Sequence, residues 1–399
     1  MVILGYYTLK TLYQPTPPPG NRYPTDRGSG FYVILFRHNM MTRNTKPYHA
    51  PTQNPVGTVT TYLINGISYS VLAVVTGWTF FALWYFEPWP DFIRTVTAII
   101  WTCIAVAGMI MLAKTGSASI IFGGGLLMLG LWSFHRPSND LTWSDDQAKL
   151  ATAEFAENSV TLHNIRHAVY RSTTDYDIHW ETKTYGLHRI RSVEFVVEPF
   201  SSWRGVAHTF LTFGFDDGEY VAISVEIRRE IHASYSPFKG LFRQYEIMYV
   251  IGDERDIIAL RTHFRQNPVY LFPIRATHEQ VRALFVDMLQ RANSLAEKPE
   301  FYNTLTNTCS SNIVRHFNKL RAKPLPFDWR VLFPGYADEL ARELGLIDAE
   351  GGMDALRRRF LVATCDAKDI DDPDWSANLR RGFSRRGEPS TKPRRPNSY

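Results

Sequence analysis

Ala207-His208-Thr209-Phe210-Leu211-Thr212-Phe213-Gly214-Phe215-Asp216-Asp217-Gly218 is the stretch whose reading decides the fold, and Tyr302-Asn303-Thr304-Leu305-Thr306-Asn307-Thr308-Cys309-Ser310-Ser311-Asn312 completes it. The first reads as a strand ending in a hairpin loop, Asp216-Asp217-Gly218, with glycine where φ must be positive. Tyr220 to Ile227 is then the return strand. A three-residue loop with a bulge pairs Phe215 with Glu219, Phe210 with Ser224 and His208 with Glu226, and paired residues share a face of the sheet. A two-residue loop would slip the register and turn Glu226 away. In the second stretch Asn303 and Asn307 precede a lone cysteine. Ser310-Ser311-Asn312 follows it, a polar start for a helix through Ile313, Val314, Phe317 and Leu320. A thiol at a helix N-terminus has a lowered pKa, and the backbone N–H groups there can hold an oxyanion. With His208 as base, Cys309 would be the nucleophile of a covalent acyl-enzyme. On the residues alone a plainer reading stands beside this one, a buried structural thiol and a satisfied core histidine.

Ahead of both stretches lie three charge-free apolar runs, Gly66 to Phe86, Thr95 to Ala113 and Thr115 to Phe134. Each is close to the roughly 20 residues that a transmembrane helix needs. Trp84, Tyr85, Trp89 and Trp132 sit at run ends, where aromatics favour the headgroup level. Residues 1–65 carry Lys10, Arg22, Arg27, Arg37, Arg43 and Lys46 against Asp26 alone, so this end is expected to stay cytoplasmic. Three spans then place everything after Phe134 outside the cytoplasm. The apolar runs start too late, and repeat, for a cleaved signal peptide. The first 65 residues read as irregular because Pro15, Pro17, Pro18, Pro19 and Gly20 break a helix. Met1, Met40 and Met41 are alternative starts.

The net charge of the 399 residues is only +5, and it does not read as a nucleic-acid footprint. Three cysteines, Cys103, Cys309 and Cys365, are no disulfide framework, and without a CxxC pair there is no zinc ribbon. His163 and His167 stand four apart, but their neighbours read as a strand and no third ligand is evident, so no metal and no cofactor are expected. Gly123-Gly124-Gly125 lies inside a run and is expected to allow close helix packing.

Behind the apolar runs Val160 to His167 and Ser192 to Val197 read as strands, and Tyr170 to Tyr185 as a polar loop. Thr277 and Gln280 form a capping box for a helix with the face Val281, Leu284, Phe285, Met288 and Leu289. Leu340 to Leu346 and Met353 to Val362 read as short helices. Asp253-Glu254-Arg255-Asp256 reads as a structural ion-pair cluster or turn. Arg228, Arg229, Arg243 and Arg261 could meet lipid phosphates or form an ion-paired face.

At these residues the chain resembles the Lnb N-terminal periplasmic domain family of bacterial inner-membrane proteins. The resemblance rests on Arg136-Pro137-Ser138-Asn139-Asp140, Tyr170-Arg171-Ser172-Thr173-Thr174-Asp175-Tyr176, Ala207-His208-Thr209, Phe213-Gly214-Phe215, Ser224-Val225-Glu226-Ile227-Arg228, Arg243-Gln244-Tyr245-Glu246, Asp253-Glu254-Arg255-Asp256 and Tyr302 to Cys309. It covers residues 66 to 345. It implies a permuted papain-like fold, with histidine before cysteine as in the lecithin:retinol acyltransferase-like enzymes. Thr308 stands where those families often carry Asn, and Asn307 is one residue earlier. Lnb itself is similar to a lipoprotein N-acyltransferase, but places its spans after the soluble domain rather than before it. The resemblance implies Cys309 as nucleophile, His208 as base and Glu226 as orienter, and Asn307, Ser224, Arg228 and Tyr245 are expected to contact substrate.

The expected architecture is therefore a cytoplasmic segment (1–65), three transmembrane helices (66–134), a periplasmic α+β papain-like domain (135–366) and a disordered basic tail (367–399). The expected function is cysteine-dependent acyl transfer or hydrolysis on a membrane lipid or lipoprotein substrate at the bacterial inner membrane. A cell-envelope cysteine peptidase or amidase, or a non-catalytic envelope protein keeping the fold, is the alternative.

Overall fold

The structure is a computed structural model, and it describes residues 55–363, 370 and 372–387. The alternative starts, residues 1–54, Cys365 and the end of the basic tail lie outside the described residues. Three helices come first: α1 (Pro55–Trp84), α2 (Asp91–Thr115) and α3 (Ser119–Phe134). Residues 55–65, expected to be irregular, are the start of α1, because Pro15, Pro17, Pro18, Pro19 and Gly20 lie earlier in the chain and Pro55 stands at the first helical position, where it is tolerated. Gly66–Trp84 and Asp91–Thr115 are long and apolar enough to cross a membrane. The third expected span is a helix of only 16 residues, which at 1.5 Å per residue covers about 24 Å of a hydrocarbon core about 30 Å thick.

The three helices pack through small residues. A Cβ on Gly124 would collide with the Trp101 ring, and one on Gly125 would meet Val75 at 2.8 Å. Leu72, Ala98, Trp101, Ile121 and Met128 are buried between them. Their outer faces leave Val74, Ile99, Leu126 and Leu127 exposed, an arrangement that suits lipid rather than water.

The rest is a mixed α+β domain. Its strands are β1 (Thr152–Phe155), β2 (Ser159–Tyr170), β3 (Tyr176–Gly186), β4 (Ile190–Pro199), β5 (Ala207–Phe215), β6 (Tyr220–Arg228), β7 (Glu246–Asp253) and β8 (Tyr270–Pro273). They form one sheet in the order β1-β2-β7-β6-β5-β4-β8, with β3 on the other edge of β2. Neighbours are antiparallel except β2 and β7. The expected loop over Tyr170 to Tyr185 is mostly β3. Tyr176, Ile178, Trp180, Thr182 and Thr184 alternate with Asp177, His179, Glu181 and Lys183, a two-residue period that the polar composition hides. Ten residues of β2 pair with it.

α5 (His278–Glu297) opens on the Thr277–Gln280 capping box and buries Val281, Leu284, Phe285, Met288 and Leu289. α6 (Cys309–Lys319) packs beside it on β5. The short α4 (Glu254–Ala259) runs into a π-turn, Leu260–Phe264. Asp253 caps it, accepting from the Arg255 N–H at 2.7 Å. Asp256 receives both guanidinium donors of buried Arg166 at 2.8 Å. The acidic run is thus structural. α7 (Ala337–Glu343) and α8 (Met353–Phe360) follow.

The tail expected to be disordered is not so over its described part. Trp375–Gly387 is a helix, α9, that buries Trp375 and Phe383 in the core. Arg380 lies over the Tyr220 ring and donates to both Glu194 and Glu254. Those two carboxylates sit on β4 and α4, far back in the chain. Composition alone makes this segment a solvated tail, because the partners that bury its arginine are nonlocal.

A thiol, a histidine and a buried carboxylate at one end of the sheet

Two local features position the site. The β5–β6 hairpin closes with the Phe215 N–H donating to Glu219 O at 2.9 Å and with Gly218 at φ 84°, the three-residue loop expected from Asp216-Asp217-Gly218. Its ladder pairs Gly214 with Tyr220 and Leu211 with Ile223. Carried outward, that register aligns His208 with Glu226. On the other side of β5, Glu198 of β4 pairs with His208. His208, Ser224, Glu226 and Glu198 therefore share one face. Thr209 points to the opposite face, where its hydroxyl meets Ser310 of α6 at 3.2 Å.

The second feature is the start of α6. Thr308 is the cap: its hydroxyl accepts from the Ser311 N–H at 3.2 Å, and Ser311 Oγ accepts from the Thr308 N–H at 2.8 Å. Cys309 is thereby the first helical residue, buried but lining a cleft of about 1170 Å³ together with His208, Glu226 and Thr308. Burial alone would raise the Cys309 thiol. The hydrogen bond and charge of His208, with hydrogen bonds to Thr209, outweigh it and bring the thiol down to about 6.

Behind the histidine lies a relay. His208 Nε2 is 2.7 Å from Ser224 Oγ, which donates to Glu226 Oε1 at 2.9 Å. Glu226 stands 3.9 Å from the same imidazole nitrogen, so it reaches the ring through the serine rather than directly. With the Ser224 proton committed to Glu226, Ser224 Oγ accepts from Nε2–H, and Nδ1 is left as the basic nitrogen. Burial would push Glu226 up, but the guanidinium of Arg261, donating at 2.9 Å, and the charge of His208 hold it well below the usual carboxylate range. Arg261 also donates to Glu198 at 2.6 Å, and Asn267 braces the other Glu198 oxygen at 2.8 Å.

The remaining expected contacts sit elsewhere. Ser224 is fully buried inside the relay. Arg228 is buried and donates to the carbonyls of Gln147 and Ala148 and to Asn139. The Tyr245 hydroxyl donates to Ser234 O at 2.7 Å. Asn307 ties its loop to α6, donating to Phe301 O and accepting from Asn312. None of the four is among the residues lining the cleft, because the polar atoms of each are taken up by the protein.

Of the two readings of the arginines, the internally paired one is what the structure has. Arg261 is buried between two carboxylates, Arg229 pairs with Asp146 at 3.0 Å, and Arg243 donates to Trp132 O and His135 O. Each is held by an internal acceptor and so is not turned to a phosphate. Two cleft residues escaped the sequence reading. Glu198 could have been found only from the β4–β5 register. Tyr302 lines the cleft beside Cys309, and burial together with the neighbouring Tyr235 and Cys309 pushes its phenol far above the ordinary value. Among the described residues no group of three or more metal-ligating side chains is assembled.

The fold and the site define a mixed α+β domain that follows apolar, membrane-compatible helices and carries a thiol and an imidazole lining one cleft. The model of the Lnb N-terminal periplasmic domain matches residues 176–335 of this chain, from the start of β3 to just before α7. The matched stretch contains His208, Ser224, Glu226, Arg261 and Cys309. No curated protein and no solved structure matches the chain.

Proposed function

We propose that the protein is a membrane-anchored cysteine acyltransferase or acyl hydrolase, with Cys309 as nucleophile, His208 as general base and Glu226 as orienter acting through Ser224. The observation that carries this reading is a thiol at the first position of a helix, lining the same cleft as a histidine whose Nε2 is linked through the Ser224 hydroxyl to the Glu226 carboxylate, and the histidine brings that thiol down to about 6. A structural thiol has no need of such a relay, and a pKa near the working pH is what an activated thiol requires.

In the proposed reaction the thiolate attacks the carbonyl of an acyl ester. The free N–H groups of the first turn of α6 face the developing oxyanion. The C–O bond then breaks, His208 gives its proton to the departing alkoxide, and an acyl thioester remains on Cys309. In the second half an amine or a water attacks the thioester while His208 takes its proton, and the thiolate leaves. An amine acceptor makes the protein an N-acyltransferase, most concretely of lipoproteins. The reading of the domain as permuted papain-like is supported by a thiol-bearing helix packed on an antiparallel sheet that carries the histidine earlier in the chain. Three crossings, with the domain in the periplasm of a bacterial inner membrane, are supported by the ends of α1 and α3 meeting the same domain loop: Phe242 packs 5.6 Å from Tyr85 and 6.1 Å from Trp132.

The test is trapping. The purified chain, incubated with phospholipid, is expected to carry an acyl mass on the peptide containing Cys309 that hydroxylamine removes. The mass should be absent from Cys309→Ser. A chain that never acquires the thioester from a lipid but acquires one from envelope peptide amides would be the peptidase or amidase instead.

A further inference from the structure

The cleft opens between exposed aromatic side chains that the thiol chemistry does not use. Trp203, on the β4–β5 connection, and Trp329, before α7, are each 51 % exposed, and Phe327 is 84 % exposed. Phe333 bridges the first two, 5.1 Å from Trp203 and 6.1 Å from Trp329. Exposed aromatics gathered from separate elements mark a contact surface on a soluble domain. The surface continues toward the apolar helices. Phe200 and Tyr235, both lining the cleft, stand 6.4 Å apart, and Phe238 of the same loop packs 4.7 Å from Phe81 of α1.

Charge accompanies the aromatics. Between Lys319 and Phe327 the chain carries Lys319, Arg321 and Lys323 and no acid. Lys319 is paired with Asp287. Among the described residues Arg321 and Lys323 are exposed and form no ion pair. Asp328, next in line, is neutralised by Arg330 at 2.7 Å. Basic residues interleaved with Trp, Phe and Pro are suited to the headgroup level of an anionic bilayer.

We infer that residues 320–333, with Trp203, form a second membrane contact that lays the mouth of the cleft on an anionic bilayer surface, beyond the anchoring by the apolar helices. The inference rests on that anchoring but not on the thiol chemistry. Its occupant is the lipid surface itself, chosen by the continuity with α1 and by the unpaired cations.

The test uses the full chain in nanodiscs with Cys103→Ser, Cys309→Ser and Cys365→Ser, so the result is independent of any acyl transfer. An environment-sensitive fluorophore is attached at Phe327→Cys or, for comparison, at Glu157→Cys in the exposed β1–β2 turn. Phe327 packs against little, so its replacement leaves folding intact. In nanodiscs containing phosphatidylglycerol, emission at 327 is expected to shift to the blue relative to 157 and to be quenched by bromine-labelled lipid. Arg321→Glu with Lys323→Glu should reverse both effects, and purely zwitterionic nanodiscs should weaken them. Identical, unquenched emission at the two positions would overturn the inference. So would a blue shift that appears only as protein concentration rises, which would make the surface a contact between copies.

Discussion

Ser224 is the smallest member of the relay and the one whose loss reads most directly. Ser224→Ala removes a hydroxyl from a fully buried position and leaves His208 Nε2 and Glu226 separated by 3.9 Å. The apparent pKa of Cys309 is expected to rise by about one unit, a change of ~1.4 kcal/mol, and a pH series of thiol alkylation reads it. An unchanged pKa would show that Glu226 acts on the imidazole without the serine. Arg261 carries a larger burden, since it lies between Glu198 and Glu226. Arg261→Met leaves buried Glu198 and partly buried Glu226 without their cation and should cost about 3–5 kcal/mol of stability, visible in denaturant unfolding. A shift below 1 kcal/mol would mean that Asn267 and the neighbouring Arg265 suffice.

At the scale of elements, α6 depends on its cap. Thr308→Ala removes one half of a capping box and is expected to cost about 1 kcal/mol, with slower alkylation of Cys309 as the first turn frays. The contact between the apolar helices and the domain has its own titration. Burial raises Glu246, at the start of β7, to about 7. The folded chain therefore holds a proton that the unfolded chain releases near pH 4.5. That stabilisation is present below pH 4.5 and is lost as pH rises through 7. Thermal unfolding in detergent should accordingly occur at lower temperature at pH 8 than at pH 5, and Glu246→Gln should flatten the dependence. A flat profile in the unsubstituted chain would contradict the burial of this carboxylate.

Much at this scale was legible in the sequence, and the reason is locality. The turn Asp216-Asp217-Gly218 sets a register by rules that reach only a few residues, and it delivers Glu226 to the face of His208. The α5 face follows from helical spacing, and the start of α6 from polar residues around Cys309. What escaped needed distant partners. β3 hides its period under Asp, His, Glu and Lys, and becomes a strand because β2 pairs with it. α9 becomes a helix because Glu194 and Glu254 wait for Arg380. Arg228 and Tyr245 looked available for substrate, since a sequence does not show which buried carbonyls will consume their donors.

At the scale of the molecule, the apolar helices, the sheet and the returning C-terminal helix support one another. Phe242 inserts among the helices, and Arg380 of α9 ties Glu194 of β4 to Glu254 of α4. Ending the chain at residue 371 removes Arg380 and leaves Glu194 and Glu254 buried, so the truncated protein is expected to be less stable by about 3–5 kcal/mol or to fail to accumulate. The central claim, however, is that this assembly holds an activated thiol, and the direct measurement is the rate of Cys309 alkylation by iodoacetamide across pH, with and without His208→Ala. The account predicts a midpoint near 6 that moves toward the ordinary thiol value of about 8.5 when the imidazole is removed. A midpoint at the ordinary value in the unsubstituted chain, indifferent to His208→Ala, would contradict it and leave Cys309 a structural residue.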